Sequence, residues 1–339
     1  MSTINFTLSR HEVVLREPFI TALRTVERYP VITYTIADES GISGIGEAVA
    51  TPAIVGDSLE EIERDLNEKI SPALADVGNL EEGLLILAGL HAASSSKAAA
   101  DVALHSFFAA KANLSLATFL GSKVEQVKTD VTIPIAKIEQ IDQIVQDRID
   151  QGFTSLKIKL GAISLPENIA IMKRISEQIS SEVSLRVDPN QAWDSSYARD
   201  FLTALNKLEI EIDYLEQPVG KNQIDDLAQL SQLELAPIMA DESLFTMRDL
   251  ETIIEKKACS WVNVKLLKSG GIAPARAIAE RALASGLNVS IGSMMEGERG
   301  VQAAALLACA VAPAVIHDLD AAWWHSDSSI KYSRGELSL

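Results

Sequence analysis

The sequence predicts an α/β protein, a (β/α)8-type barrel preceded by an N-terminal α+β capping domain. Three observations carry this reading. Eight short β-branched runs recur from about residue 131, and stretches of helical period separate them. Ionisable residues stand at the C-terminal ends of most of these runs. The first ~125 residues lack that alternation. The 339 residues are therefore divided into a cap over 1–125, a barrel over 126–322 and a C-terminal segment, 323–339, packing back on barrel and cap.

In the cap, strand-like runs fall at 3–9 and 30–36, and Gly41-x-x-Gly44-x-Gly46 reads as the turn after the second. A helix opens at Gly56-Asp57-Ser58, with Glu60 and Glu61 in its first turn, where the helix dipole favours acids. An Ala-rich helix covers about 96–112. The barrel strands are expected at 131–136, 155–160, 184–188, 213–216, 237–241, 261–266, 288–292 and 314–319. Helical period lies between them, for example over 138–151, 167–181, 222–233 and 273–285. Parallel strands joined by helices close with right-handed crossovers, and eight such units make a barrel.

Composition narrows the function. Lys+Arg 30 against Asp+Glu 47 gives a net charge of −17, and the pI is about 4.8. Such a surface repels phosphate backbones and anionic headgroups, so no nucleic-acid or membrane partner is expected. Hydrophobic content of 47% supports a large buried core. Cys259 and Cys309 sit in apolar surroundings and read as buried free thiols rather than a disulfide framework. The N-terminal residues carry no signal-peptide pattern, and the longest apolar run, 303–316, is broken by Pro313. A cytoplasmic homo-oligomer acting on a small molecule is the expectation.

Strand ends locate the chemistry. Lys157 and Lys159 end the second barrel strand, Asp188 the third, Glu216 the fourth, Asp241 the fifth and Lys265 the sixth; Glu296 follows the seventh, and Asp318 and Asp320 end the eighth. A lone carboxylate at a strand end often only caps the next helix, but a row of charges in a barrel interior needs partners. Asp188, Glu216 and Asp241 offer oxygen ligands on three neighbouring strands, which favours Mg²⁺; Mn²⁺ also fits, and zinc does not. Lys159 and Lys265 stand four strands apart, on opposite sides of the lumen. A nearby metal ion is expected to lower such a lysine towards neutrality, making it a general base. Two bases on opposite faces of one carbon can invert it. Asp318 and Asp320 share a face and suit a substrate ammonium. His317, next to Asp318, points out of the lumen and reads as a packed histidine.

The run of motifs Lys157-Ile158-Lys159, Asp188-Pro189-Asn190-Gln191, Glu216-Gln217-Pro218, Asp241-Glu242-Ser243 and Asn263-Val264-Lys265 resembles the enolase superfamily, in its muconate-lactonizing branch. The resemblance covers nearly the whole chain and implies a modified TIM barrel. It implies that Asp188, Glu216 and Asp241 bind Mg²⁺ and that Lys159 and Lys265 are the acid/base pair. Lys157 would contact the substrate carboxylate and tune Lys159. Asp318-Leu319-Asp320 is similar to the Asp-x-Asp mark of dipeptide epimerases, as are Ala22-Leu23-Arg24-Thr25-Val26 and Ser293-Met294-Met295-Glu296.

The resemblance thus implies epimerisation of the second residue of L-Ala-Xaa dipeptides, of the L-Ala-D/L-Glu type, by 1,1-proton transfer through an enediolate. Arg24 could pair with a substrate glutamate carboxylate or be a solvated surface arginine. Glu296 and Glu298 are further substrate-binding candidates, and Glu298 argues for a cationic or neutral second residue. Lys268 reads as a loop lysine or as a rival to Lys265 for the sixth-strand role, and Trp323 and Trp324 as packing at the barrel edge. The alternatives are other enzymes of the branch (N-acylamino acid racemase, o-succinylbenzoate synthase or muconate cycloisomerase) and a catalytically silent, metal-stabilised binding protein.

Overall fold

The computed structural model describes residues 4–122, 124 and 126–339. The cap opens with an antiparallel sheet in the order β1 (Ile4–Ile20), β2 (Thr25–Asp38), β3 (Ser43–Val49). Helical segments follow: α1 (Leu59–Arg64), a π-helical stretch Asp65–Ile70, α2 (Ser71–Leu74), α3 (Leu80–Gly89), α4 (Ser94–Lys111) and α5 (Leu116–Phe119). Ser58 caps α1 as expected, its side chain accepting from the Glu61 N–H. The alternation of Ile32, Tyr34 and Ile36 gives β2 one apolar face, fully buried with Ala99, Ala103 and Phe107 of α4.

The glycine segment departs from its expectation. Only Gly41, at φ +88°, sits in a turn; Gly44 and Gly46 lie inside β3. A Cβ at Gly46 would stand 1.9 Å from the Ala99 carbonyl oxygen, and one at Gly44 2.2 Å from that of Ala103. These glycines let helix and strand backbones touch, a packing role that local pattern reads as a turn.

The barrel contains β5 (Val131–Ile133), α6 (Ile138–Asp150), β6 (Ser155–Lys159), α7 (Leu165–Ser176), β7 (Ser184–Asp188), α8 (Ser195–Lys207), β8 (Tyr214–Glu216), α9 (Ile224–Gln232), β9 (Ile238–Ala240), α10 (Met247–Lys256), β10 (Trp261–Lys265), α11 (Leu266–Ser269), α12 (Ile272–Ala284), β11 (Asn288–Gly292) and α13 (Glu298–Val311). All adjacent strands from β5 to β11 pair in parallel. A strand was expected at 314–319. The structure has two isolated parallel bridges there instead, Thr129 to His317 and Gly292 to Asp318. The Asp130 N–H donates to the His317 carbonyl at 2.9 Å and the Asp318 N–H to that of Ile291 at 3.1 Å, so this short segment joins β11 to the start of the sheet. Pro313 lies just before it, and a proline cannot supply a ladder donor.

After a 3-10 turn at Ala321–Trp324, the tail forms β12 (Lys331–Ser333) and β13 (Glu336–Ser338), and β13 pairs with β4 (Gln126–Lys128). Trp324 is fully buried, and Arg16 and Arg148 lie over the Trp323 ring at 4.4 and 4.3 Å. The tryptophans pack the barrel edge, as expected. Cys259 and Cys309 are buried free thiols. Among the described residues, no helix is long and apolar enough to cross a membrane.

Candidate active site

Strand period places alternate side chains of β6 and β7 in the lumen, and the register sets Lys159 beside Asp188 and Lys157 beside Arg186. Lys157, Lys159, Lys265, Asp241, Asp318, Asp320 and Arg24 line one narrow cavity of about 50 Å³ under the cap. Asp188 and Glu216 do not line it; they are fully buried in contact with Lys157 and Lys159, which do. The structure thus gathers residues from β6 to β10, the closing segment and the cap into one place.

Lys157 is the central cation. Its Nζ lies 2.7 Å from Glu216 Oε2, 3.0 Å from Asp318 Oδ2 and 3.2 Å from Asp188 Oδ2. Lys159 binds Asp188 Oδ2 at 2.5 Å, and Lys265 lies 3.0 Å from Asp241 and 3.2 Å from Asp318. Burial, opposed by Lys157 and reinforced by Asp188 and Asp241, pushes Glu216 up to about 7. Asp318 feels the same burial, but Lys157 and Lys265 hold it well below the usual carboxylate range. At Lys265 burial lowers the ammonium, yet Asp241 and Asp318 outweigh burial, so the protein's own charges hold it above the ordinary lysine value.

Three placements correct the sequence reading. Lys268 is no loop lysine; it is fully buried, with Nζ 2.5 Å from Asp241 Oδ1 and 3.1 Å from the Asn263 carbonyl oxygen. Its α11 helix turns it back under the strand ends, which sequence spacing alone does not show. Glu298 leaves the cavity altogether. As the first residue of α13 it accepts from the Ser329 N–H at 2.7 Å and lines a separate cleft of about 730 Å³ with Glu47 and His325. Glu296 lies behind the cavity wall, where Oε1 accepts from the Met294 N–H at 2.9 Å and burial raises its carboxyl to about 8. It braces the loop rather than facing the cavity.

Asp320 accepts from the Thr132 N–H at 2.7 Å and from Trp324 Nε1 at 3.0 Å, which aims its carboxylate beside Asp318. The carboxylate oxygens of Asp130, Asp318 and Asp320 converge within 4.8 Å of one another. Asp130 already holds Arg186 at 2.8 Å, so this cluster is the anionic end of the lumen, served by the protein's own cations. Arg24 is half-buried at the cavity mouth, and burial lowers its basicity. Among the described residues, no carboxylate pairs with it. His317 is fully buried: Nδ1 accepts from the Ile291 N–H at 2.9 Å and Nε2 donates to the Ala312 carbonyl at 3.0 Å. It is a packed histidine, as read.

The sequence reading assigned no role to Asn263. Its Nδ2 donates to Glu216 Oε1 at 2.9 Å and to Asp318 Oδ2 at 2.8 Å. The period of two, which puts it on the same face as Lys265, was the available signal. Gln217 was missed too; Oε1 accepts from the Asp241 and Ser243 N–H groups, both at 3.0 Å, and locks two strand ends together.

Asp188, Glu216 and Asp241 offer only carboxylate oxygens from adjacent strands, as hard cations prefer. Glu216 Oε2 is met only by the Lys157 ammonium, and buried Glu242 Oε2 and Asn190 Oδ1 make no hydrogen bond among the described residues. These residues fit a Mg²⁺-type ion.

An α+β cap over a barrel whose lumen holds paired lysines and strand-end acids defines the class of protein. Residues 3–121 match the family model described as mandelate racemase / muconate lactonizing enzyme, N-terminal domain, and residues 140–337 match the enolase C-terminal domain-like model. The chain belongs to this family. It is 35% identical to the L-Ala-D/L-Glu epimerase of Bacillus subtilis, across 95% of this chain and 88% of that protein. The structure of a substrate-liganded complex of the Bacillus subtilis L-Ala-D/L-Glu epimerase superposes with a TM-score of 0.96 at 33% identity, covering 100% of this chain and 96% of that one. A dipeptide epimerase of Enterococcus faecalis, complexed with Mg and L-Leu-L-Tyr, superposes with a TM-score of 0.93 at 30% identity, covering 100% and 97%.

Proposed function

We propose that this protein is a Mg²⁺-dependent dipeptide epimerase that inverts the α-carbon of the second residue of L-Ala-Xaa dipeptides, with an acidic second residue preferred. The observation that carries the reading is the entry of Lys159 and Lys265 into one cavity from strands β6 and β10, with three strands between them. The relatives' activity and the Mg-bound neighbour support it.

Asp188, Glu216 and Asp241 would hold the ion. When bound, it withdraws charge from the substrate carboxylate and so acidifies the adjacent Cα–H. One lysine removes that proton and the other returns one to the opposite face, so each must alternate between amine and ammonium. Lys157 stays charged beside the developing negative charge on the carboxylate oxygens. Asp318 and Asp320 accept hydrogen bonds from the α-ammonium. Arg24, half-buried at the cavity and without a carboxylate partner among the described residues, supplies the complement to an acidic side chain. The case for a cationic substrate rested on Glu298, which faces another cleft.

The test is α-hydrogen exchange in D₂O, followed by NMR on L-Ala-L-Glu and L-Ala-D-Glu. Wild-type enzyme should label both isomers. Lys159→Ala and Lys265→Ala should each abolish epimerisation while retaining exchange of one isomer, a different one in each case. Epimerisation that survives both substitutions sinks the mechanism.

A further inference from the structure

We propose that helix α4 of the cap belongs to the Lys265 half of the site, with Asp101 as a positioning residue for that lysine, whereas Lys159 is held by the barrel alone. The inference rests on the two-lysine reading above and goes beyond it. Asp101 lies on α4 and is 1% exposed. Its Oδ1 accepts from the Ile272 N–H at 2.7 Å and its Oδ2 from the Ala273 N–H at 3.3 Å. Those are the first residues of α12, so a cap carboxylate sits on the positive end of a barrel helix. The approach needs Gly271, where φ is +126° and a Cβ would stand 2.3 Å from the Asp101 side chain. His105 supports the carboxylate from behind, with Nδ1 3.1 Å from Asp101 Oδ1.

This anchor lies close to the base. The Gly270 and Gly271 N–H groups both donate to the Leu266 carbonyl at 2.9 Å, closing the short α11 turn. That turn begins at the residue after Lys265 and carries Lys268, which grips Asp241. The path from Asp101 to Lys265 is therefore a single rigid turn. Among the described residues, the loop after Lys159 has no such tether. Its Gly161 carbonyl accepts from Trp193 Nε1 at 3.1 Å and Asn168 Nδ2 at 3.0 Å, both barrel residues, and the Leu160 N–H donates to the Asp188 carbonyl at 3.3 Å.

Loosening the cap at Asp101 should consequently slow one stereochemical half-reaction and spare the other, which general destabilisation would not do. A second cap carboxylate serves as control: Glu47 accepts from the Arg299 N–H at 2.9 Å at the start of α13 and lines a different cleft from the two lysines. The experiment measures D₂O exchange of L-Ala-L-Glu and L-Ala-D-Glu at saturating Mg²⁺ for wild type, Asp101→Ala, Asp101→Asn and Glu47→Ala. The isomer whose exchange disappears in Lys265→Ala defines the Lys265 face.

Asp101→Ala should slow exchange of that isomer about tenfold or more relative to the other, since small misplacements of a reacting group are costly. Asp101→Asn keeps an acceptor oxygen and should recover part of the loss, and it takes the place of Asp101→Ala if the latter fails to fold. Glu47→Ala should leave the ratio of the two rates unchanged. Equal slowing of both isomers by the Asp101 variants, or no slowing, overturns the proposal while leaving the epimerase reading intact. Wild-type enzyme that exchanges neither isomer overturns both.

Discussion

Lys157 Nζ donates to Asp318 Oδ2 at 3.0 Å across the barrel interior, and this contact ties β6 to the segment that closes the barrel. The same ammonium also meets Glu216 and Asp188, so three buried acids share it, Asp188 with Lys159 as a second partner and Asp318 with Lys265. Removing one partner of a buried ion pair leaves the others uncompensated.

Lys157→Met should therefore destabilise the fold by about 3 kcal/mol or more in the absence of divalent ions. Added Mg²⁺ should restore part of the loss, because it returns positive charge to the same acids. Urea unfolding with and without Mg²⁺ measures both effects, and an unchanged midpoint would refute the central role of this lysine.

Arg24 and Glu298 should separate cleanly. Charge-assisted hydrogen bonds contribute about 1.5–3 kcal/mol, so Arg24→Met should lower kcat/KM for L-Ala-L-Glu by roughly 10- to 100-fold. Turnover of a dipeptide with an apolar second residue should change little. Glu298→Ala, which cuts the tie to Ser329, should alter melting temperature rather than substrate choice. Steady-state kinetics on the two dipeptides gives the answer.

His317 makes the fold sensitive to acid. Burial is the main reason its imidazole is lowered to about 4, against an ordinary value near 6.5, and protonation would break the Ile291 N–H to Nδ1 bond. A depressed folded value means that stability is fully present above pH 6.5 and is lost as pH falls towards 4, by about 3 kcal/mol. His317→Gln should be less stable at pH 8 but should lack this component of the slope. Thermal melts across pH 4–8 compare the two.

Gly46→Ala should fail through packing. Its Cβ would need to occupy space 1.9 Å from the Ala99 carbonyl oxygen, and neither that backbone oxygen nor a Cβ fixed to the strand backbone can yield locally. A loss of at least 1–3 kcal/mol is expected for such overpacking. Gly56→Ala meets no atom within 4 Å but sits at φ +96°, so its smaller cost would come from backbone strain alone. Differential scanning calorimetry ranks the two.

Much of this architecture was legible because strand and helix periods are local. The barrel strands, the Ser58-capped helix, the buried thiols and the outward His317 each follow from a few adjacent residues. The misreadings share another cause. Gly44 and Gly46 look like turn residues until α4 is laid against them, and Lys268 looks solvated until α11 folds it under Asp241. The last strand looked regular, yet only its His317–Asp318 centre makes sheet bridges.

By itself the sequence determined which side chains face the lumen and at which strand ends the charges stand, because a period of two and a βα alternation are written in neighbouring positions. Only the tertiary structure decided which cation meets which acid, that Glu298 turns to the tail while Arg24 stays at the cavity mouth, and that Asp101 of the cap secures the turn after Lys265. Those pairings join residues as far apart as 161 positions for Lys157 and Asp318 and 171 for Asp101 and Ile272. Contact and burial at that separation arise from closing the barrel and docking its cap, and no local pattern encodes them.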